Sequence, residues 1–182
     1  MTKLYKITDS EDQTYNMCQW GEGVTVKTSG IGRMCGKGFT HWYTDPKLAV
    51  LFNPIHGSFD LETAHLWEGE GEIIKEDGLQ VGCIEATTLK RIDFPVITLE
   101  QKVKFAILCA LEVYNEEKFV NWAHNWLDGT DRTVKTAEAA TEAAEAAAKI
   151  AIRAVIGAAK AAGAAKNINF VRIIDTSLME EI

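Results

Sequence analysis

Sixteen of the 29 residues from Ala137 to Ala165 are alanine. Alanine is the strongest helix former and adds almost no bulk, so this stretch commits much of the second half of the chain to helix. A helix over about 133–165 is roughly 50 Å long at 1.5 Å per residue. At 100° per residue, Lys135, Glu138, Glu142, Glu145, Lys149, Arg153 and Lys160 fall within about 40° of one line. The acids come first and the bases later, as the helix dipole favours, and Glu145 with Lys149 makes a supportive i,i+4 pair. The rest of the surface is small and apolar. Two readings stay open for it: a closely packed bundle helix, or a seam for self-association into a homo-oligomer.

The 182-residue chain changes character near Pro95, its last proline. Before it, glycines and aromatic residues are frequent and the elements are short. After it, the pattern is helical. The expected fold class is α+β: a small mixed β-sheet domain over residues 1–94, then an Ala-rich helical domain over residues 95–182. Strands are expected over Lys3–Thr8, through Gln19-Trp20 and Val24–Lys27, over Phe39–Tyr43, over His65–Ile74, and as one run over Val81–Leu89. Asp45 is placed to cap a short helix with Pro46 at its first position, and Asn53-Pro54 is expected to end it. Thr98 and Gln101 read as a capping box. Asn115 is expected to cap a second helix that Gly129 stops. Phe170, Ile173, Ile174, Ser177 and Leu178 follow helical spacing, with a strand over Phe170–Ile174 as the competing reading.

The net charge is −7, which argues against general nucleic-acid binding, since that needs basic surface. The segment Asp131–Lys166 is locally +2, leaving −9 for the remainder. The cysteines, Cys18, Cys35, Cys83 and Cys109, form no C-x-x-C pair, so neither a zinc site nor a disulfide framework is expected. No cofactor, metal or catalytic residue is assigned. The alanine tract is interrupted by Lys149, Arg153 and Lys160, and alanine is too weakly apolar to drive insertion. The N-terminus has no secretory pattern. A soluble intracellular protein without a membrane partner is expected.

Recognition-type residues concentrate between Trp20 and Trp67. The candidate ligand-binding set is Trp20, Arg33, His41, Tyr43, Asn53, His56 and Trp67, flanked by glycines at 21, 23, 30, 32, 36 and 38. Aromatic rings with a few polar tips suit a pocket for planar ligands, and glycine loops let backbone N–H groups approach an anion. His41 and Tyr43 should share one face of their strand, with Trp42 on the other. Gly36-Lys37-Gly38 lacks the Walker A frame, and neither a G-x-S-x-G elbow nor an H-E-x-x-H helix occurs. Glu68, Glu70 and Glu72 alternate as on a solvated sheet edge. Trp122 and Trp126, four apart, are expected to pack in the helical core.

Lys3–Lys6, Gly38-Phe39-Thr40-His41, Tyr43–Leu51, Trp67–Gly71 and Val81-Gly82-Cys83 together resemble a phage and prophage family whose domain also occurs fused to pentapeptide repeats. Its members carry a Gly-Phe-His-type segment before an x-Pro-Leu helix. Here Thr40 stands between Phe39 and His41. Trp122–Leu127 and the alanine tract are similar to the longer phage members. The resemblance implies a phage accessory protein in the bacterial host cytoplasm. Gly38-Phe39 through Tyr43-Thr44-Asp45 to Ala49 is also similar to the strand and helix that shape the NAD pocket of ADP-ribosyltransferases. That similarity implies Tyr43 stacked on nicotinamide and Glu70 or Glu72 on a ribose hydroxyl. The first strand offers Lys6 where that family carries His or Arg.

The leading expectation is a non-catalytic accessory protein that binds a host-derived partner, a nucleotide-like small molecule or a host protein. Sequestering a nucleotide-like immune signal would make it a counter-defence factor. The alternatives are an ADP-ribosyltransferase-like enzyme acting on a host target, and a protein-binding or structural module working through the helical half.

Overall fold

The computed structural model describes residues 1–34, 36–112, 117–130, 132 and 169–178. The chain divides into two compact units, Met1–Val96 and Ile97–Ile182. Strands occupy the first and helices the second, an α+β protein.

The first unit holds β1 (Thr2–Thr8), β2 (Gln13–Thr14), β3 (Cys18–Gln19), β4 (Thr25–Lys27), β5 (Thr40–Trp42), α1 (Pro46–His56), β6 (His65–Gly71), β7 (Lys75–Glu76), β8 (Val81–Cys83) and β9 (Glu85–Ile92). They form a four-stranded sheet ordered β1-β6-β9-β4, a three-stranded sheet ordered β5-β8-β7, and the small β2–β3 hairpin. Every described ladder is antiparallel. Tyr5 and Tyr43 exchange backbone hydrogen bonds of 2.8 and 2.9 Å, so β1 is joined directly to the end of β5. Leu4, Trp20, Trp42, Val81, Cys83 and Ala86 make the core where the two larger sheets meet.

Three local expectations are corrected. The run expected as one strand over Val81–Leu89 is two strands, β8 in the small sheet and β9 in the large one, with a corner at Ile84. Thr28 holds that corner: its N–H donates to the Ile84 carbonyl at 2.7 Å and its hydroxyl reaches the same oxygen at 3.1 Å. One segment thereby serves two sheets. Helix α1 does not stop at Asn53 but runs on to His56 with Pro54 inside it. The Asn53 side chain donates to the Phe59 carbonyl and accepts from its N–H, while the Asn53 carbonyl accepts from Gly57 and Ser58. These bonds hold the last turn against the bias that proline puts on its predecessor. Finally, β6 is an interior strand, so Glu68 and Glu70 do not line an edge. Glu68 lies between Lys3 at 3.1 Å and Lys90 at 3.7 Å, which lets it sit in mid-sheet. The Asp45 cap of α1 is as expected, accepting from the Lys47 N–H at 2.8 Å.

The second unit contains α2 (Leu99–Leu111), α3 (Glu117–Leu127) and α4 (Phe170–Leu178). Thr98 and Gln101 form the capping box reciprocally. Val103 and Ile107 of α2 pack with Ala123 and Trp126 of α3, and Trp122 lies against them. Gly129, at φ +80°, closes α3 in the left-handed conformation. The last segment is helical, and its buried residues Phe170, Ile173, Ile174 and Ser177 match the 3.6-residue pattern. The long alanine helix, its seam and the Asn115 cap lie outside the described residues.

Gly69 on β6 is where the large sheet approaches the Trp42 ring. A Cβ there would stand 2.5 Å from the Thr87 carbonyl oxygen and 2.7 Å from the indole. Overpacking of this kind costs roughly 1–3 kcal/mol. Gly69→Ala is therefore expected to lower the unfolding free energy measured by urea denaturation by an amount in that range, whereas alanine at open Gly23 is governed by its φ of +71° alone.

Candidate functional site

Strand β5 separates two environments. Thr40 and Trp42 face inward: the Thr40 hydroxyl donates to the Cys83 carbonyl at 3.1 Å, and the Trp42 indole N–H donates to the Thr40 hydroxyl at 3.0 Å. By the two-residue period of a strand, His41 and Tyr43 take the other face, about 6.6 Å apart along it. His41 Nε2 meets the Met34 carbonyl. A carbonyl only accepts, so that nitrogen carries a proton. Burial, with a smaller push from the Lys6 charge, holds the His41 pKa below its ordinary value, against the Met34 hydrogen bond and Asp77, which favour its charged form. The Tyr43 hydroxyl lies 2.6 Å from His56 Nδ1. Tyr43, Phe52 and His56 form a three-ring group, with centroids 5.8 to 6.4 Å apart and planes within 25°. His56 is the exposed last residue of α1, held there by the Asn53 bonds of its final turn.

Three of the seven candidate residues thus come together, His41 and Tyr43 at β5 and His56 bonded to Tyr43, while Arg33 is exposed on the preceding loop, next to Met34 in sequence. Asn53 supports the row from behind without joining it and is buried. Trp20 and Trp67 are not part of it. Trp20 is buried edge-to-face on Trp42, with centroids 5.2 Å apart, and its N–H donates to the Thr14 hydroxyl. Trp67 is buried with its N–H 3.0 Å from Asp12 Oδ1.

Two groups that the sequence reading did not place at the site organise these indoles. The Lys6 ammonium is buried, 4.7 Å from the ring centroids of both Trp20 and Trp42, and donates to the His41 carbonyl at 2.5 Å. Burial lowers its pKa to about 8, with Cys18 and Cys83 opposing. Burial also raises the Cys83 thiol to about 11. Asp12 sits at φ +61° and accepts from His65 Nδ1 at 2.8 Å, from Trp67 and from Arg91. Burial alone would raise its pKa, but the bonds from Arg91, His65 and Trp67 outweigh that and leave it below the usual carboxylate value. Asp12 thereby ties the turn after β1 to β6 and β9. No sequence pattern marks either convergence, because the partners lie 53 to 79 positions away for Asp12, and the carbonyl that Lys6 meets lies 35 away.

Two of the residues that the transferase similarity would use have defined places in the first unit. Tyr43 is in the three-ring group, and Glu70 stands opposite Lys3 and Thr87 inside the large sheet. Among the described residues, no group of three or more His, Cys, Asp and Glu is placed to hold a metal ion, and no helix is long and apolar enough to cross a membrane. Comparison with known proteins finds no matching family model, no matching curated protein and no matching solved structure.

Lys6 makes a signed prediction. Its folded pKa of about 8 lies below the ordinary lysine value of 10.5, so between those values the unfolded chain binds the extra proton and stability rises with pH. Below about pH 8 both states are protonated and this contribution is absent. The melting temperature of the wild type relative to Lys6→Met should climb from pH 8 to about pH 10. A flat difference would mean that the amine is solvated.

Proposed function

We propose that this chain is a phage-encoded accessory protein that binds a host-derived, nucleotide-like ligand without catalysis, in the host cytoplasm, through the outer face of β5. The supporting observation is the set His41, Tyr43 and His56, of which Tyr43 and His56 form the three-ring group with Phe52. Tyr43 is buried and stacked on His56, so the half-buried His41 and the exposed His56 are the groups that would offer a planar heterocycle an imidazole face and polar ring atoms. The strand that carries it is clamped from behind by Lys6 and Trp42, so the row is held before a ligand arrives. Preorganisation of that kind lowers the ordering cost of binding. Holding a nucleotide signal away from its host receptor needs only affinity, so this reading extends to counter-defence by sequestration.

The burial of Lys6 between two indoles supports a binder over a transferase. Its ammonium is spent on the His41 carbonyl and two ring faces rather than offered to a dinucleotide.

Thermal shift against NAD-derived and cyclic nucleotides tests the proposal. A ligand at about 100 times its Kd adds roughly 2.7 kcal/mol to stability, a rise of several degrees for a domain of this size. At least one nucleotide at millimolar concentration is expected to give such a rise. His56→Ala, at an exposed position, and Tyr43→Phe should each reduce it. No shift with any of these ligands removes the reading, and transfer or cleavage of labelled NAD replaces it with the enzymatic one.

A further inference from the structure

The segment between β4 and β5, described over residues 28–34 and 36–38, is held by its own backbone. The Gly30 N–H donates to the Gly38 carbonyl at 2.8 Å, the Gly36 N–H to the Arg33 carbonyl at 3.0 Å, and Lys75 Nζ to the Gly32 carbonyl at 2.8 Å. Gly30 and Gly32 take φ of +70° and +112°. The loop closes so tightly that a Cβ on Gly38 would stand 2.0 Å from the Ile31 carbonyl oxygen. Met34 lies over Gly82 of β8, where a Cβ would be 2.7 Å from its sulfur, and the Met34 carbonyl meets His41. The loop is therefore fastened to the candidate site at its middle.

Its charges are unusual for an acidic protein. Most other cations of this unit are engaged: Lys3 and Lys90 pair with Glu68, Lys27 with Glu85, and Arg91 with Asp12, while Lys6 is spent on a carbonyl; Lys47, at the start of α1, enters no ion pair among the described residues. Arg33 and Lys37 are exposed, four positions apart across the Arg33–Gly36 turn, and enter no ion pair among the described residues. Lys75 adds a third cation, fixed by the Gly32 carbonyl and by the Phe39 ring at 4.8 Å. The one carboxylate acting on His41 is Asp77, whose Oδ1 already accepts from the Leu79 and Gln80 N–H groups at 3.1 and 3.0 Å.

We propose that this loop seats the phosphate end of the ligand, with Arg33 and Lys37 as the cationic contacts and the heterocycle lying toward Tyr43 and His56. The inference rests on the nucleotide reading above and assigns the part of the ligand that the ring row does not explain. A guanidinium offers a planar fork to phosphate oxygens and an ammonium offers a point charge. A loop tied by its own backbone presents both without a large ordering cost.

Amide spectra of the full chain, titrated separately with inorganic pyrophosphate and with adenosine, test it. Pyrophosphate is expected to move the amides of residues 30–38 and to bind less well as salt is raised. The double variant Arg33→Ala/Lys37→Ala should lose at least tenfold in pyrophosphate affinity while keeping the wild-type melting temperature, because both side chains are exposed. Pyrophosphate binding unchanged in the double variant, or shifts centred elsewhere, overturns the proposal. Adenosine reports on the ring row alone: silence at Tyr43 and His56 alongside a loop response to pyrophosphate sinks the heterocycle reading and leaves the phosphate seat standing.

Discussion

An ammonium group removed from water and held between two indoles is the interaction on which the N-terminal unit depends. Lys6 belongs to β1, Trp20 follows β3, and Trp42 belongs to β5, so one charge joins three separate parts of the chain. Burying an ammonium costs several kcal/mol even after relaxation. Two desolvated cation–π contacts, each worth about 2 kcal/mol, and a charge-assisted bond to the His41 carbonyl offset part of that cost, the remainder showing as the lowered pKa. A leucine would pack there more cheaply but would fix no orientation. The ammonium requires both ring faces and that one carbonyl, and so sets where β5 lies against β1.

The consequence is carried to the other side of the strand. With Trp42 turned inward and the His41 carbonyl occupied, the His41 ring is half-buried and the Tyr43 ring is buried against Phe52 and His56. There they meet the Met34 carbonyl on one side and His56 on the other. The second convergence, on Asp12, does comparable work at the far end of β1, where the carboxylate gathers donors from β6 and β9. Both centres are polar, and both serve the placing of strands.

The fold was legible in the sequence where a local signal decides the outcome. Asp45-Pro46 starts a helix because a side-chain acceptor and a missing N–H suit its first turn, and Thr98 with Gln101 does so reciprocally. The pairing of His41 with Tyr43 on one face followed from strand period alone. What stayed hidden was set by partners distant in sequence. The corner at Ile84 depends on Thr28, and the run of α1 through Pro54 depends on bonds between Asn53 and Phe59. Trp20 and Trp67 read as ligand rings because an indole N–H needs a partner; Thr14 and Asp12 supply it internally. Lys6 and Arg91 gave no sign of their places, since a cation in a strand looks the same whether it faces water or a pair of rings.

The most direct test of this account is the titration of the Lys6 side chain itself, followed through its Cε and Nζ signals with the backbone amides of β5 read in the same samples. The account predicts a midpoint of about 8, with the His41, Trp42 and Tyr43 amides moving at that same midpoint as the charge between the rings is lost. A Lys6 midpoint near the ordinary lysine value of 10.5, with β5 unresponsive, would contradict it.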